Sequence, residues 1–574
     1  MNIKMKSIFI LIALMAFNIQ SCDKFLEEDL VSDVSGSSYY TTPAGLEDAV
    51  DATYSSLKYI HSNERAHSLT IFGTDTYTNG ADGGHKSFNY YDNGLNSASS
   101  QIREMWDELY RGINQANAVI NRSQAIEGLD PDILSQRLAE VRFLRAYYYF
   151  VLVRQFGDVH LTLEETVGAE VEANKTPQET IYETAIVPDL EFAIATLPDS
   201  QSDYGRATKP AAENLLGLVR LTRGYQTFAK ADDFSEAERL FGNVIDDYSF
   251  ALEPDMGKLW DQDNDKNKEI IFSVQYGTDE ILNGTEGNRS HLYFLMEYDK
   301  EKGMIRDIAN GRPFKRFRPT QYLLDVWGAN RDNDNRYDLT YKHVWISNNP
   351  KSIPVWEQAN VDAGAKNADG SPAVVGQPRW AVGDTAIFMP GPGREAKWTP
   401  TKRLQTRYVV YLPSEYTERI FGHIGKFIDP RRPAIQWERG SRDWFIMRLG
   451  DTYLLRAEAR IKQGNTTDAA DDINMVRVRA AWPGKEAVMM ITPGDVTMDF
   501  LLEERARELD AEQERWYTLA RTGTLVDRVK LYNPLGAPNI DAHHIHRPIP
   551  QNQIDRTSGG YEQNCGYPGG PSCN

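Results

Sequence analysis

The chain has 574 residues, a formal charge of −19 and three cysteines. That length supports a large core and two to four domains, and the acidic balance argues against nucleic acid or an anionic surface as partner, because phosphate binding needs clustered cations. Aromatics are abundant, with 11 Trp, 29 Tyr and 22 Phe, which suits a core and equally a binder that stacks rings on apolar ligand faces.

In chain order, Lys4 and Lys6 precede an almost unbroken apolar run, Ser7 to Phe17. A membrane-spanning helix needs roughly 20 such residues, so residues 1–21 read as a secretory signal with the small Ser21 before the cut. Cys22 directly follows it, the arrangement of a bacterial lipoprotein whose new N-terminal cysteine carries acyl chains. Ile19 and Ser21 stand where that signal usually has Leu and Ala or Gly. Removing residues 1–21 leaves a side-chain charge of −21. No later segment is apolar enough to span, so the body is expected to be soluble and tethered at one end.

Residues 22–250 read as helices. Helical periodicity covers Pro43–Ile60, Ser99–Arg122, Pro131–Phe156, Pro177–Leu197 and Lys209–Ala229, and the run RFLRAYYYFVLVRQF within the third has the look of a helix buried on most sides. The stretch 231–248 resembles 454–479. In both, a polar turn leads into a helix opened by an acid–Ala step, Glu236-Ala237 and Asp468-Ala469, with Phe241 and Ile473 four positions on. This is the layout of tetratricopeptide-like helical hairpins. From 251 to 440 the periodicity fades. EIIFSVQY at 269–276 alternates like a strand, six tryptophans fall between 327 and 437, and long irregular stretches of this kind are frequently functional. Residues 441–574 return to helix from about Asp443 to 530 and end in a loop-like tail. There Cys565 and Cys573 lie eight residues apart, and in an exported chain they are candidates for a local disulfide.

Catalytic signatures are sparse. There is no GxSxG or HExxH sequence, and GADGGHKS at 80–87 lacks the context of a phosphate loop. DQDNDKNKEIIF at 261–272 begins like a calcium loop but has Lys266 and Phe272 where Gly and Glu are needed. The acidic DNDNRYD at 332–338 reads as a solvated turn, with a surface calcium as the alternative. HHIH at 543–546 reads as polar loop. No metal site and no cofactor are assigned, and an acidic chain offers many carboxylate pairs without singling one out.

The pieces together resemble the SusD/RagB family of Bacteroidetes nutrient-uptake lipoproteins. The resemblance runs from CDKFLEEDL at 22–30 through MWDELYRGINQANAVI at 105–120, AEVRFLRAYYYFVLVRQFGDV at 139–159 and DWFIMRLGDTYLLRAEARIKQGN at 443–465. It continues through EERARELDAEQERWYTLARTG at 503–523 to RPIPQNQIDRTSGGYEQNCGY at 547–567, where Cys565 replaces the family's usual Pro. It implies a mainly α fold, a right-handed superhelix of tetratricopeptide-like hairpins with a large loop-rich insertion. It implies non-catalytic capture of an oligosaccharide, or of a peptide as in the RagB branch, at the outer face of the outer membrane. The implied partner is a TonB-dependent SusC-like barrel on which the protein sits as a lid. Cys22 would be the tether, and Asp23, Glu27, Glu28 and Asp29 resemble a surface-export signal. The family site is built from loops, so the ligand is expected between the early loop at 72–95, with Asp75, Tyr77, Asn79, Asp82, His85 and Tyr91, and residues of 290–400, with Tyr293, Trp327, Trp345 and Trp380.

Overall fold

The computed structural model describes residues 40–573 apart from 169, 280–282 and 284–286. Cys22 and the acidic residues that follow it lie outside the described residues.

Among the described residues, the longer helices form a frame. α1 (Pro43–Ile60) starts where Thr42 caps the amide of Gly45 at 3.1 Å and Pro43 sets the first turn. α2 (Ser100–Arg122) and α3 (Pro131–Phe156) follow, the latter capped by Asp130 and stopped by Gly157 at φ +74°. From Ala139 to Phe156 every residue of α3 is buried except Arg142 and Arg154, which are half-buried. α2 and α3 approach closely because Gly112 faces Tyr148, where a Cβ would come within 2.6 Å of the ring.

The helix expected over 177–197 forms, but in three pieces. Gln178–Ile181 widens into a π turn over Tyr182–Ile186 before α4 (Val187–Thr196). Pro188 explains the bulge, since it has no amide to donate and its ring would press on the carbonyl four residues back. α5 (Lys209–Arg223) and α6 (Asp233–Asp246) make the next hairpin. After the insertion come α7 (Leu449–Lys462), α8 (Thr466–Arg479) and α9 (Met498–Glu508). Each helix from α1 to α8 packs on its successor, α6 against α7 included, although the latter two are some two hundred residues apart in sequence. Leu221, Ala237, Phe241, Leu455 and Ala459 form their shared core, so the array continues as though the insertion were absent.

The insertion holds short strands: β1 (Tyr77–Asn79) from the early loop, then β2 (Ile270–Val274), β3 (Phe317–Pro319), β4 (Tyr341–Lys342), β5 (Val344–Ile346), β6 (Thr385–Phe388), β7 (Val409–Val410), β8 (His423–Ile424) and β9 (Trp444–Arg448). β2 is the strand expected at 269–276. Its partner β9 occupies part of the stretch expected to be helix from Asp443; α7 starts only at Leu449. The segment 444–448 is a run of bulky, largely apolar residues buried on both sides, which periodicity alone does not separate from buried helix. β5, β6 and β7 form a three-stranded sheet over a second core of Met296, Trp345, Trp380 and Ile387. β1 pairs with β3, Tyr77 opposite Pro319 and Asn79 opposite Phe317, and this seam brings the early loop against the insertion.

A lattice of buried charge locks the insertion to the C-terminal helices. Arg336 is fully enclosed and bonds Asp334 at 2.6 Å, Glu504 at 2.7 Å and Glu508 at 2.9 Å. Arg448 bonds Glu269, Glu508 and Glu512, and Arg479 bonds Glu269 and Glu508. Within 503–515, Glu504, Arg505, Arg507, Glu508, Glu512 and Arg515 are thus buried, each against a partner, the only arrangement in which burying so many is tolerable. At the C-terminus Cys565 and Cys573 are joined in a disulfide.

Candidate functional site

Eight of the ten expected ligand residues are core residues. Asp75 is fully buried, its carboxylate held by Arg515 at 2.6 and 2.7 Å and by Arg528 at 2.7 Å. Burial pushes that carboxyl up, and the two guanidinium groups more than offset it, so it titrates below its ordinary value. Tyr77 donates to Asp510 at 2.6 Å, Tyr91 donates to the carbonyl of Gly73 at 2.8 Å, and Asn79 is enclosed beside them. Tyr293 packs on His67 and Phe317, Trp327 on Tyr337, and Trp345 edge-on to His423 at 5.3 Å. Trp380 donates to Ser347 at 3.2 Å beneath the three-stranded sheet. The expectation that these eight meet ligand is corrected by their burial. An irregular segment still needs a core of its own, and its largest rings are what fill it.

Asp82 and His85 do reach the surface, and the seam places them against the insertion. The amide of Gly80 donates to the carbonyl of Arg316, that of Asp82 to Lys315 and that of Ala81 to Glu418. Asp82 lies 3.0 Å from the Lys315 ammonium. His85 lies 3.4 Å from Glu64, which also faces Arg316 at 2.9 Å. Burial lowers the His85 pKa, with Glu64 opposing, so the imidazole is neutral at neutral pH. Beside them Phe314 is half-buried, packed on Tyr293 and set between two cations, Arg312 at 5.0 Å and Arg316 at 5.1 Å from its ring. Arg312 is oriented by Glu438 at 2.7 Å. An aromatic face flanked by fixed donors and acceptors is what a pyranose needs: ring CH groups on the aromatic, hydroxyls on the charged rim. Phe314, Arg312 and Arg316 escaped sequence reasoning, which weighted tryptophan. The signal was the alternation of Arg, Phe and Lys in RPFKRFRP at 312–319, which sets Arg312, Phe314 and Arg316 on one side.

The other expected polar sites resolve into structure. In 332–338, Asp334 and Asp338 face Arg336 and Arg331, and no group of three or more candidate metal ligands occurs among the described residues. Of the HHIH run, His543 and His544 pack on Tyr567, and His546 lies against Gly157.

Known proteins place this architecture. A model described as "SusD family" matches residues 268–567, and one described as "Starch-binding associating with outer membrane" matches 24–221. The chain belongs to the SusD family. It is 27% identical to SusD-like protein P2 of Formosa agariphila over 94% of this chain and 96% of that one. It is 26% identical to the starch-binding protein SusD of Bacteroides thetaiotaomicron over 82% and 80%. Among solved structures, a laminarin-binding SusD-like protein superposes with a TM-score of 0.64 at 20% identity, covering 92% of this chain and all of that one. The mainly α SusD-like fold is thereby established. Among the described residues no helix is long and apolar enough to cross a membrane.

Proposed function

We propose that the protein is a lipid-anchored surface protein that captures oligosaccharide or polysaccharide and delivers it to a TonB-dependent SusC-like barrel in the outer membrane. The tether is Cys22, and the protein binds its cargo without transforming it. The observation that carries the reading is the rim at the β1–β3 seam, where Phe314 stands between Arg312 and Arg316 opposite Asp82 and His85. Membership of a family with starch- and laminarin-binding relatives supports it.

The test is calorimetry on a soluble form beginning at Asp23, titrated with a panel of polysaccharides and oligosaccharides and with a peptide mixture as control. Saturable binding of one glycan class without released product is expected, weakened about tenfold by Phe314→Ala, the size of a lost aromatic contact of roughly 1.4 kcal/mol. Silence across the sugars with heat from the peptides would replace the cargo with peptide, as in the RagB branch.

A further inference from the structure

A second aromatic surface lies on the insertion, apart from the residues of the seam. Phe388 at the end of β6, Trp398 and Tyr408 are all half-buried, and none belongs to the core beneath. Their rings form a triangle with centroids 5.2, 5.9 and 6.3 Å apart. Beside Phe388 the apolar face continues across the sheet to Val344, its partner on β5, which is 37% exposed. Core packing does not account for rings left at the surface, because the core beneath is already filled by Trp345, Trp380 and Ile387.

The charge around these rings is the reverse of the chain's. Residues 394–407 (REAKWTPTKRLQTR) carry five cations and one acid, Glu395, in a protein of net charge −19. Three of the cations are engaged: Arg394 with Asp338 at 3.4 Å, Arg403 with Glu415 at 2.9 Å and Arg407 with Asp384 at 3.2 Å. Lys397 and Lys402 are exposed and have no carboxylate partner among the described residues. The Lys402 ammonium rests 4.9 Å from the centre of the Trp398 ring, a contact that an exposed lysine leaves at small cost.

We infer that Phe388, Trp398 and Tyr408, with Lys397 and Lys402, form a binding platform for acidic glycans, pyranose rings bearing carboxylate or sulfate. A sugar stacking on Trp398 displaces the Lys402 ammonium from the ring. The freed ammonium and that of Lys397 are then within reach of the sugar's anionic substituent. A neutral sugar takes the same face but gives the displaced lysine nothing to pair with. Charge complementarity thus selects the occupant: the unpaired cations sit where the apolar surface is, in a chain that otherwise repels anions. This inference rests on the reading of the chain as a glycan binder and adds the class of glycan.

The test compares matched pairs by calorimetry: oligogalacturonate against its methyl ester for the carboxylate, and carrageenan oligosaccharides against agarose oligosaccharides for the sulfate. At low salt the acidic member of at least one pair is expected to bind about tenfold more tightly, with the preference shrinking as salt is raised. Lys397→Ala with Lys402→Ala should erase the preference by weakening the acidic member about tenfold, with the neutral member, which no longer has an ammonium to displace, bound no more weakly than before. Trp398→Ala should weaken both members, and unchanged melting of each variant would show that the fold is intact. Equal affinity within both pairs, or a preference that survives the double lysine substitution, overturns the inference. Neutral binding lost only on Phe314→Ala overturns it too but keeps the proposed function, whereas binding of peptides and no glycan overturns both.

Discussion

The helical array and the insertion it carries satisfy their polar groups by different means. In the array, charges are buried and paired: Arg145 with Asp189, Arg223 with Asp233, Arg456 with Asp472 and Arg521 with Glu458 each bridge elements at 2.6–2.7 Å. In the outer insertion the backbone closes on itself in turns and short strands, and apolar side chains such as Val355, Val374 and Val382 stand 45–57% exposed. Taking charge out of water is tolerated only when geometry and hydrogen bonding are near ideal, so the array has little freedom to move. The insertion carries no such constraint at its tip and presents rings and unpaired lysines to solvent. A rigid frame with a chemically open loop region is the division of labour expected of a binding protein, in which recognition sits on loops held by a scaffold.

The largest expected effect breaks that frame where the two regions are joined. Arg336→Ala would leave Glu504 and Glu508 facing each other's field without the cation between them. Removing one partner of a fully buried network costs about 3–5 kcal/mol, read as a lowered midpoint in urea. Acid should reach the same lattice. Burial pushes the Glu504 carboxyl up, but Arg336, Arg477 and Arg507 outweigh it and hold it down to about 2. Its contribution is therefore fully present above the unfolded value near 4.5 and is lost as the pH falls toward 2. Urea midpoints at pH 6, 4 and 3 should converge between wild type and Arg336→Ala, and a constant gap would refute the electrostatic account.

How much of this was legible in the sequence follows from the same contrast. The bounds of α1 and α3 were readable to the residue: Pro43 and Pro131 open them, and Gly157 closes the second. The hairpin likeness of 231–248 and 454–479 was readable because Ala237, Phe241, Ala469 and Ile473 all turn out buried at equivalent places. The ligand residues were not. Asp75 and Trp345 have the chemistry of a sugar site, but their burial is decided by Arg515, Arg528 and His423, which are distant in sequence. Phe314 was marked only by the alternation of its neighbours, and Trp398 differs from the buried rings only in what fails to cover it, of which a lone sequence carries no sign. The inward turn of segment 503–515 was likewise hidden, since a charged helix reads as a solvated one until its partners are known.

Inside the array, a smaller effect tests how closely the helices approach. Gly217 on α5 faces Phe241 on α6, and an added Cβ would lie 2.7 Å from the ring. Phe241 is fully buried and cannot swing away. Gly217→Ala gains about 1 kcal/mol in helix propensity and loses roughly 1–3 kcal/mol to overpacking. A net loss near 1 kcal/mol is expected, measured by denaturant unfolding. Pairing it with Phe241→Leu, which makes room, should recover part of the loss, and simple additivity of the two would show that the contact is not tight.

The smallest effect sharpens the comparison at the border, where Asp443 stands just before β9 with no arginine bonded to it among the described residues. Burial pushes its carboxyl up to about 7, opposed by a hydrogen bond from the Tyr276 amide at 2.9 Å. The raised value means that the native state holds a proton there that the unfolded chain, near 3.8, has released. Between those two values the group's contribution to stability falls as the pH rises, and above about 7 the buried charge is carried in full. Asp443→Asn keeps an oxygen near the Tyr276 amide and removes the charge. It should therefore leave stability almost unchanged at pH 4 and raise it by about 1 kcal/mol or more at pH 8, because each tenfold change in proton affinity is worth roughly 1.4 kcal/mol. An arginine-paired carboxylate such as Glu504 shows the opposite dependence on pH. Equal effects of Asp443→Asn at pH 4 and pH 8 would mean that the carboxyl is solvated, and that the border between frame and insertion is more open to water than its burial indicates.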